Sequence, residues 1–229
     1  MIISSDPDYL DTKLVKQGLK KLNPIFQELA DWIDYNFQTK VLNIYYEKIK
    51  VSKNRPRLSI IFEFENEERR FQTPTGFTDE KKEKIIIDKF IEIVNNNTTT
   101  LQKLISSPKF DTDEMFVIFE AFEPIARREV NHRIPQSDIE ILKDEFKSKD
   151  LWEIYREFEM TVFFFYTNSQ IQEHSNIGTI DLLRKKYYEL LKMYDTFNYI
   201  KPNYNFITFD SKENFDTNFK GNWFYYSRR

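Results

Sequence analysis

The chain is 229 residues long, with 40% hydrophobic and 31% charged residues and a formal net charge of −3. That balance excludes a disordered chain and supplies enough apolar surface for a large core. The lack of cysteine excludes a disulfide framework, a thiol nucleophile and cysteine-ligated zinc, and the slight acidity disfavours nucleic acid as a partner.

Leu10, Leu14, Val15, Leu19 and Leu22 recur at helical spacing, and Asn23-Pro24 restarts a second helix carrying Ile25, Phe26, Leu29, Ile33 and Phe37. Val41 to Val51 and Arg57 to Glu67 read as a hairpin with one solvated face. Leu58, Ile60, Phe62 and Phe64 would point inward, and Glu63, Glu65 and Glu67 would form an acidic row outside, because strand side chains alternate. Thr78 or Asp79 caps a helix running to about Val94, and the polar run Asn95 to Thr100 ends all periodicity. The chain is expected to be a single α/β domain, with any two sub-halves meeting near 95–108, and no internal repeat is evident.

Met115 to Phe122 reads as a buried strand, although Asp111 and Glu114 also fit the capping box of a helix there, and Pro124 to His132 reads as a short helix. A further helix opens at Pro135, with Ile139, Leu142 and Phe146 inward, continuing to Phe158. Met160 to Tyr166 is the most apolar run. It is too short for a membrane span and lacks a helical stripe, so it predicts an interior strand covered on both faces. Asn168 to Gly178 reads as a loop, and Thr179 to Met193 as a helix. Tyr204 to Phe209 is expected as a strand, with a short helix around Phe215 and Phe219, and Trp223 to Tyr226 as a closing strand. The fold class is α/β (α+β): a mixed sheet of about six strands with helices packed on it.

Four scattered glycines cannot build a phosphate-cradling loop or a dinucleotide fingerprint, and there is no Gly-x-Ser-x-Gly elbow. His132 and His174 lie in no metal-ligand spacing. Arg128 and His132, one turn apart, could meet an anion, although a solvated helix face is the favoured reading. The acidic pairs Asp6/Asp8 and Asp111/Glu114 suit helix capping better than Mg²⁺. Asp138, Glu145 and Lys147 have the residue types of a metal-dependent nuclease site, but Glu145 and Lys147 fall on an expected helix, where they cannot share a strand face. No cofactor, resident metal or membrane span is expected. The N-terminus lacks the basic flank and apolar stretch of a signal peptide, which gives a cytoplasmic expectation. Abundant Phe, Tyr, Asn, Lys and Ile match the AT-rich codons of a low-GC bacterium.

The stretch Phe206 to Phe215, continuing through Gly221-Asn222-Trp223-Phe224-Tyr225-Tyr226, resembles the ends of cytosolic immunity-type proteins of bacterial polymorphic toxin systems. The resemblance covers about the last twenty-five residues. It implies a non-enzymatic protein that neutralises a toxin domain by occluding it, with Glu63, Glu65, Glu67, Trp223 and Tyr225 as expected contacts. The alternative is a metal-dependent nuclease or phosphotransferase using Asp138, Glu145 and Lys147.

Overall fold

The computed structural model describes residues 4–50, 54–97, 110–157, 160–202 and 207–228. Several expectations lie outside these residues: the N-terminal Met1 to Ile3, Val51, the proposed boundary at Ser106-Ser107-Pro108, Glu159 and Tyr204 to Phe206. The contacts divide the chain into two compact units, Met1–Ile125 and Ala126–Arg229. Among the described residues there is no six-stranded sheet. Each unit has its own three-stranded sheet, and no described helix is long and apolar enough to cross a membrane.

In the first unit, helices α1 (Pro7–Lys16) and α2 (Pro24–Phe37) precede the hairpin β1 (Val41–Ile49) and β2 (Arg55–Phe62). The short helix α3 (Glu65–Glu68) and the long α4 (Glu80–Asn96) lead to β3 (Phe116–Ala121), which pairs parallel with β2. As expected, Asn23 caps α2, its Oδ1 accepting the Ile25 N–H at 3.1 Å, and Asp79 caps α4 through the Lys81 and Lys82 N–H groups. Asp111 and Glu114 do not cap a helix. They form a turn ahead of β3, in which Asp111 Oδ1 accepts the Asp113 N–H and Glu114 has a positive φ.

The hairpin has no solvated face. β2 is the middle strand, so Leu58, Ile60 and Phe62 pack on Leu29 and Ile33 of α2 and on Ile86 and Phe90 of α4. On its other face Ile61 meets Tyr9, Thr12, Phe122 and Ile125. Helix α1 is held over this face by hydrogen bonds. The Tyr45 hydroxyl donates to the Asp8 carbonyl at 2.7 Å, and Asn43 donates to Thr12 Oγ1 at 3.2 Å.

The division between units falls within helix α5 (Phe122–Arg133). In the second unit, α6 (Gln136–Phe146) ends well short of Phe158, because Asp150 adopts a left-handed conformation and turns the chain into β4 (Leu151–Glu157). β4 pairs antiparallel with β5 (Met160–Phe165), the expected interior strand. Phe163 and Phe165 face Leu142, Phe146, Leu183 and Tyr187, whereas Val162 and Phe164 face Phe215 and Tyr226. Helices α7 (Asn168–Asn176) and α8 (Thr179–Tyr194) follow, then β6 (Ile207–Ser211), parallel to β5, and helices α9 (Lys212–Phe219) and α10 (Trp223–Tyr226). Asn168 to Asn176 is thus helical rather than a loop, with Ile177 and Gly178 in the turn that follows, and Trp223 to Tyr226 is helical rather than a strand.

With α1 and α10 set aside and α5, within which the division falls, counted as the first unit's closing helix, the two units share one order, helix-hairpin-helix-helix-strand-helix, and one register. Leu58 to Phe62 pair with Val117 to Ala121, and Thr161 to Phe165 pair with Ile207 to Ser211. Both hairpins break register at the same place, between Val41 and Asn43 and between Leu151 and Glu153. The side chain inside each break, Asn43 or Glu153, accepts the following isoleucine N–H at 2.9 Å. Further N–H groups on edge strands are also taken by side chains: Val41 by Asp34, Val117 by Glu83 and Ser211 by Asp210. Occupied donors of this kind discourage pairing with another strand.

Candidate functional site

The C-terminal corner carries a dense cluster of aromatic side chains, Trp152, Tyr155, Phe164, Phe215, Trp223 and Tyr226 among them. Ser211 Oγ accepts the Asn214 N–H at 2.9 Å and starts α9. Lys220 and Gly221 both have positive φ and reverse the chain, and a Cβ on Gly221 would also lie 3.3 Å from Asp216 Oδ1. Asn222 Oδ1 then caps α10 through the Phe224 N–H at 2.9 Å.

In a four-residue helix, residues three apart share a side. Trp223 and Tyr226 therefore turn inward together. Trp223 stacks on Tyr155 at 4.4 Å and 5°, and lies 4.1 Å from the Phe215 ring. Tyr226 is fully buried, and its hydroxyl donates to Asp210 at 2.6 Å. Phe224 and Tyr225 are left outside, 55% and 53% exposed, with the Arg228 guanidinium 3.9 Å over the Phe224 ring. Of the two residues expected here as contacts, Tyr225 is presented to solvent and Trp223 anchors the helix from beneath.

The acidic row does not form as expected, because β2 stops at Phe62 and Glu65–Glu68 is helical. Glu63 is buried between Lys16 and Lys40, and Glu67 is buried with its carboxylate accepting the Phe64 N–H at 2.9 Å. Only Glu65 of the three turns toward solvent, where it pairs with Arg69 at 2.7 Å. Glu68, the next residue, has its carboxyl pushed up to about 7, first by burial and then by the charges of Glu65 and Glu120.

The nuclease-like trio does not converge. Asp138 accepts the Tyr194 hydroxyl at 2.6 Å, and Glu145 pairs with Lys186 at 2.9 Å, so both fasten α6 to α8. Lys147 lies beyond α6, in the 3₁₀ turn Lys147–Lys149. Among the described residues, no three His, Asp or Glu side chains are grouped to hold a metal. His132 is exposed on α5. His174 is buried instead, with Nε2 3.0 Å from Asp150 Oδ2 and its ring stacked on Phe165.

One buried polar group escaped sequence reasoning. The Tyr187 hydroxyl, inside the second unit, meets Thr161 Oγ1 at 2.9 Å and donates to Asn131 Oδ1. Burial pushes this phenol up to about 12, so it stays neutral. Arg156 closes the group by donating to the Asn131 and Ile134 carbonyls at 2.9 and 3.0 Å. The Tyr187 and Thr161 hydroxyls and the Asn131 side-chain oxygen serve one another, which makes it a fixed core network. Compared with protein-family models, curated proteins and solved structures, the chain matches none.

Proposed function

We propose that the chain is a non-enzymatic binding protein, and that it acts as an immunity protein neutralising a bacterial toxin domain by occlusion. The observation carrying this reading is the build of α10. Two aromatic rings, Phe224 and Tyr225, are held in solvent by a helix whose other side is locked into an aromatic cluster. Rigid aromatic anchors lose little conformational entropy on docking and carry much of the energy of protein interfaces. The candidate catalytic side chains Asp138 and Glu145 are, by contrast, engaged in fastening helices.

The contact set differs from the one read from sequence: Tyr225 with Phe224 as anchors, and Glu65 as an acidic side chain that would speed encounter with a basic toxin. Trp223, Glu63 and Glu67 support the fold. The test is survival of cells expressing any toxin-domain protein found to be encoded beside this gene, and the absence of such a neighbour would count against the reading. Wild-type protein should protect, and the Phe224→Ala/Tyr225→Ala double variant, with unchanged thermal unfolding, should not. Equal protection by the two proteins would sink the reading.

A further inference from the structure

We infer that the chain is a tandem duplication of one folding unit, and that each copy closes its own core as a separate cooperative body. The shared order of elements alone would be weak support, since helix-and-strand units of this kind recur. The agreement reaches individual hydrogen bonds. Phe64 and Thr167, which open the helices after the middle strands, each donate their N–H to the side chain three residues on, Glu67 and Gln170, both at 2.9 Å. Glu63 and Tyr166, one residue earlier, each accept a backbone N–H from the helix after the third strand, from Glu123 at 3.0 Å and Glu213 at 3.1 Å.

The rings agree as well. Phe119 lies 6.1 Å from Phe62, and Phe209 lies 6.4 Å from Phe165, at the same register position of each sheet. Position by position, Ile44 matches Ile154, Tyr45 matches Tyr155, Glu47 matches Glu157 and Phe62 matches Phe165. Independent convergence on two matching breaks in register, two matching caps and two matching carbonyl acceptors is the less economical account. Each copy also has its own buried cluster, the second including Val130 from α5, the helix within which the division falls.

The matched isoleucines give the test, in the full chain. Ile44→Val and Ile154→Val each remove one buried methylene, a change mild enough to leave both variants folded. Hydrogen exchange of the middle-strand amides at Ile60–Phe62 and Phe163–Phe165 is read in both variants. Each variant should lose about four-fold protection in its own unit, the equivalent of one buried CH₂, with the other unit unchanged. An equal loss in both units from either variant would show one cooperative body and overturn the inference. This outcome is independent of partner binding.

Discussion

Phe71 and His174 occupy the same place in the two units. Each ring lies flat on the last phenylalanine of its middle strand, Phe71 on Phe62 at 4.7 Å and 19°, and His174 on Phe165 at 4.8 Å and 20°. A polar ring therefore fills a position that the first unit fills with a hydrocarbon. His174 Nε2 has Asp150 as its partner, but its buried Nδ1 has none among the described residues.

An unsatisfied buried polar atom costs about 1–3 kcal/mol, more than a hydrogen bond to a half-exposed carboxylate returns. His174→Phe is therefore expected to raise unfolding stability by about 1 kcal/mol in urea titrations. The reverse exchange, Phe71→His, should lower it by about 2 kcal/mol, because Phe71 is fully buried among Phe37, Phe62 and Phe119. A destabilised His174→Phe protein would mean that the Asp150 contact outweighs the orphaned nitrogen.

Two carboxyls make stability fall as pH rises. Burial pushes Asp34 up to about 6 and Glu68 up to about 7, from ordinary values of 3.8 and 4.5. The folded state thus holds a proton that the unfolded chain has released, so each group favours folding below its unfolded pKa and loses that contribution as pH rises through its folded pKa. Both side chains stay partly solvated, which limits each contribution to about 1 kcal/mol. Asp34→Asn keeps the acceptor for the Val41 N–H and should gain on wild type by that amount between about pH 4 and 6. Glu68→Gln should do so between about pH 4.5 and 7. Stability differences that stay flat across these windows would contradict the assignment.

The edge of β3 depends on one side chain. Glu83 Oε1 accepts the Val117 N–H at 2.9 Å, so Glu83→Ala should speed amide exchange at Val117 by roughly five-fold, the worth of about 1 kcal/mol. The uncovered edge should also favour self-association at high concentration, visible in sedimentation. Unchanged exchange at Val117 would show that the bond contributes nothing.

The helices with clear apolar stripes and caps, α2, α4, α6 and α8, were legible in the sequence, as was the interior strand β5, because local periodicity determines them. The strand β4 was not. Its Leu151–Glu157 continues the apolar spacing of α6, and only the left-handed Asp150 breaks the run. Helix α7 was missed for its polar face, although Thr167 and Gln170 form a capping box that could have revealed it. The acidic row failed because the end of β2 is set by the turn into α3, a tertiary feature that alternation does not encode. The repeat stayed hidden because its identities, such as Ile44 with Ile154 and Phe62 with Phe165, are scattered and become visible only through pairing register. Tyr225 is exposed, as a contact would need to be, but the inward side taken by Trp223 beside it could not be read, since strand and short helix orient neighbouring rings differently.

Calorimetric titration of the full chain with any toxin-domain protein found to be encoded beside its gene tests the central claim most directly. Saturable binding is predicted, weakened about thirty-fold by Tyr225→Ala, the loss expected of an interface anchor worth about 2 kcal/mol. Binding of equal strength by wild type and Tyr225→Ala, or no binding at all, would contradict it.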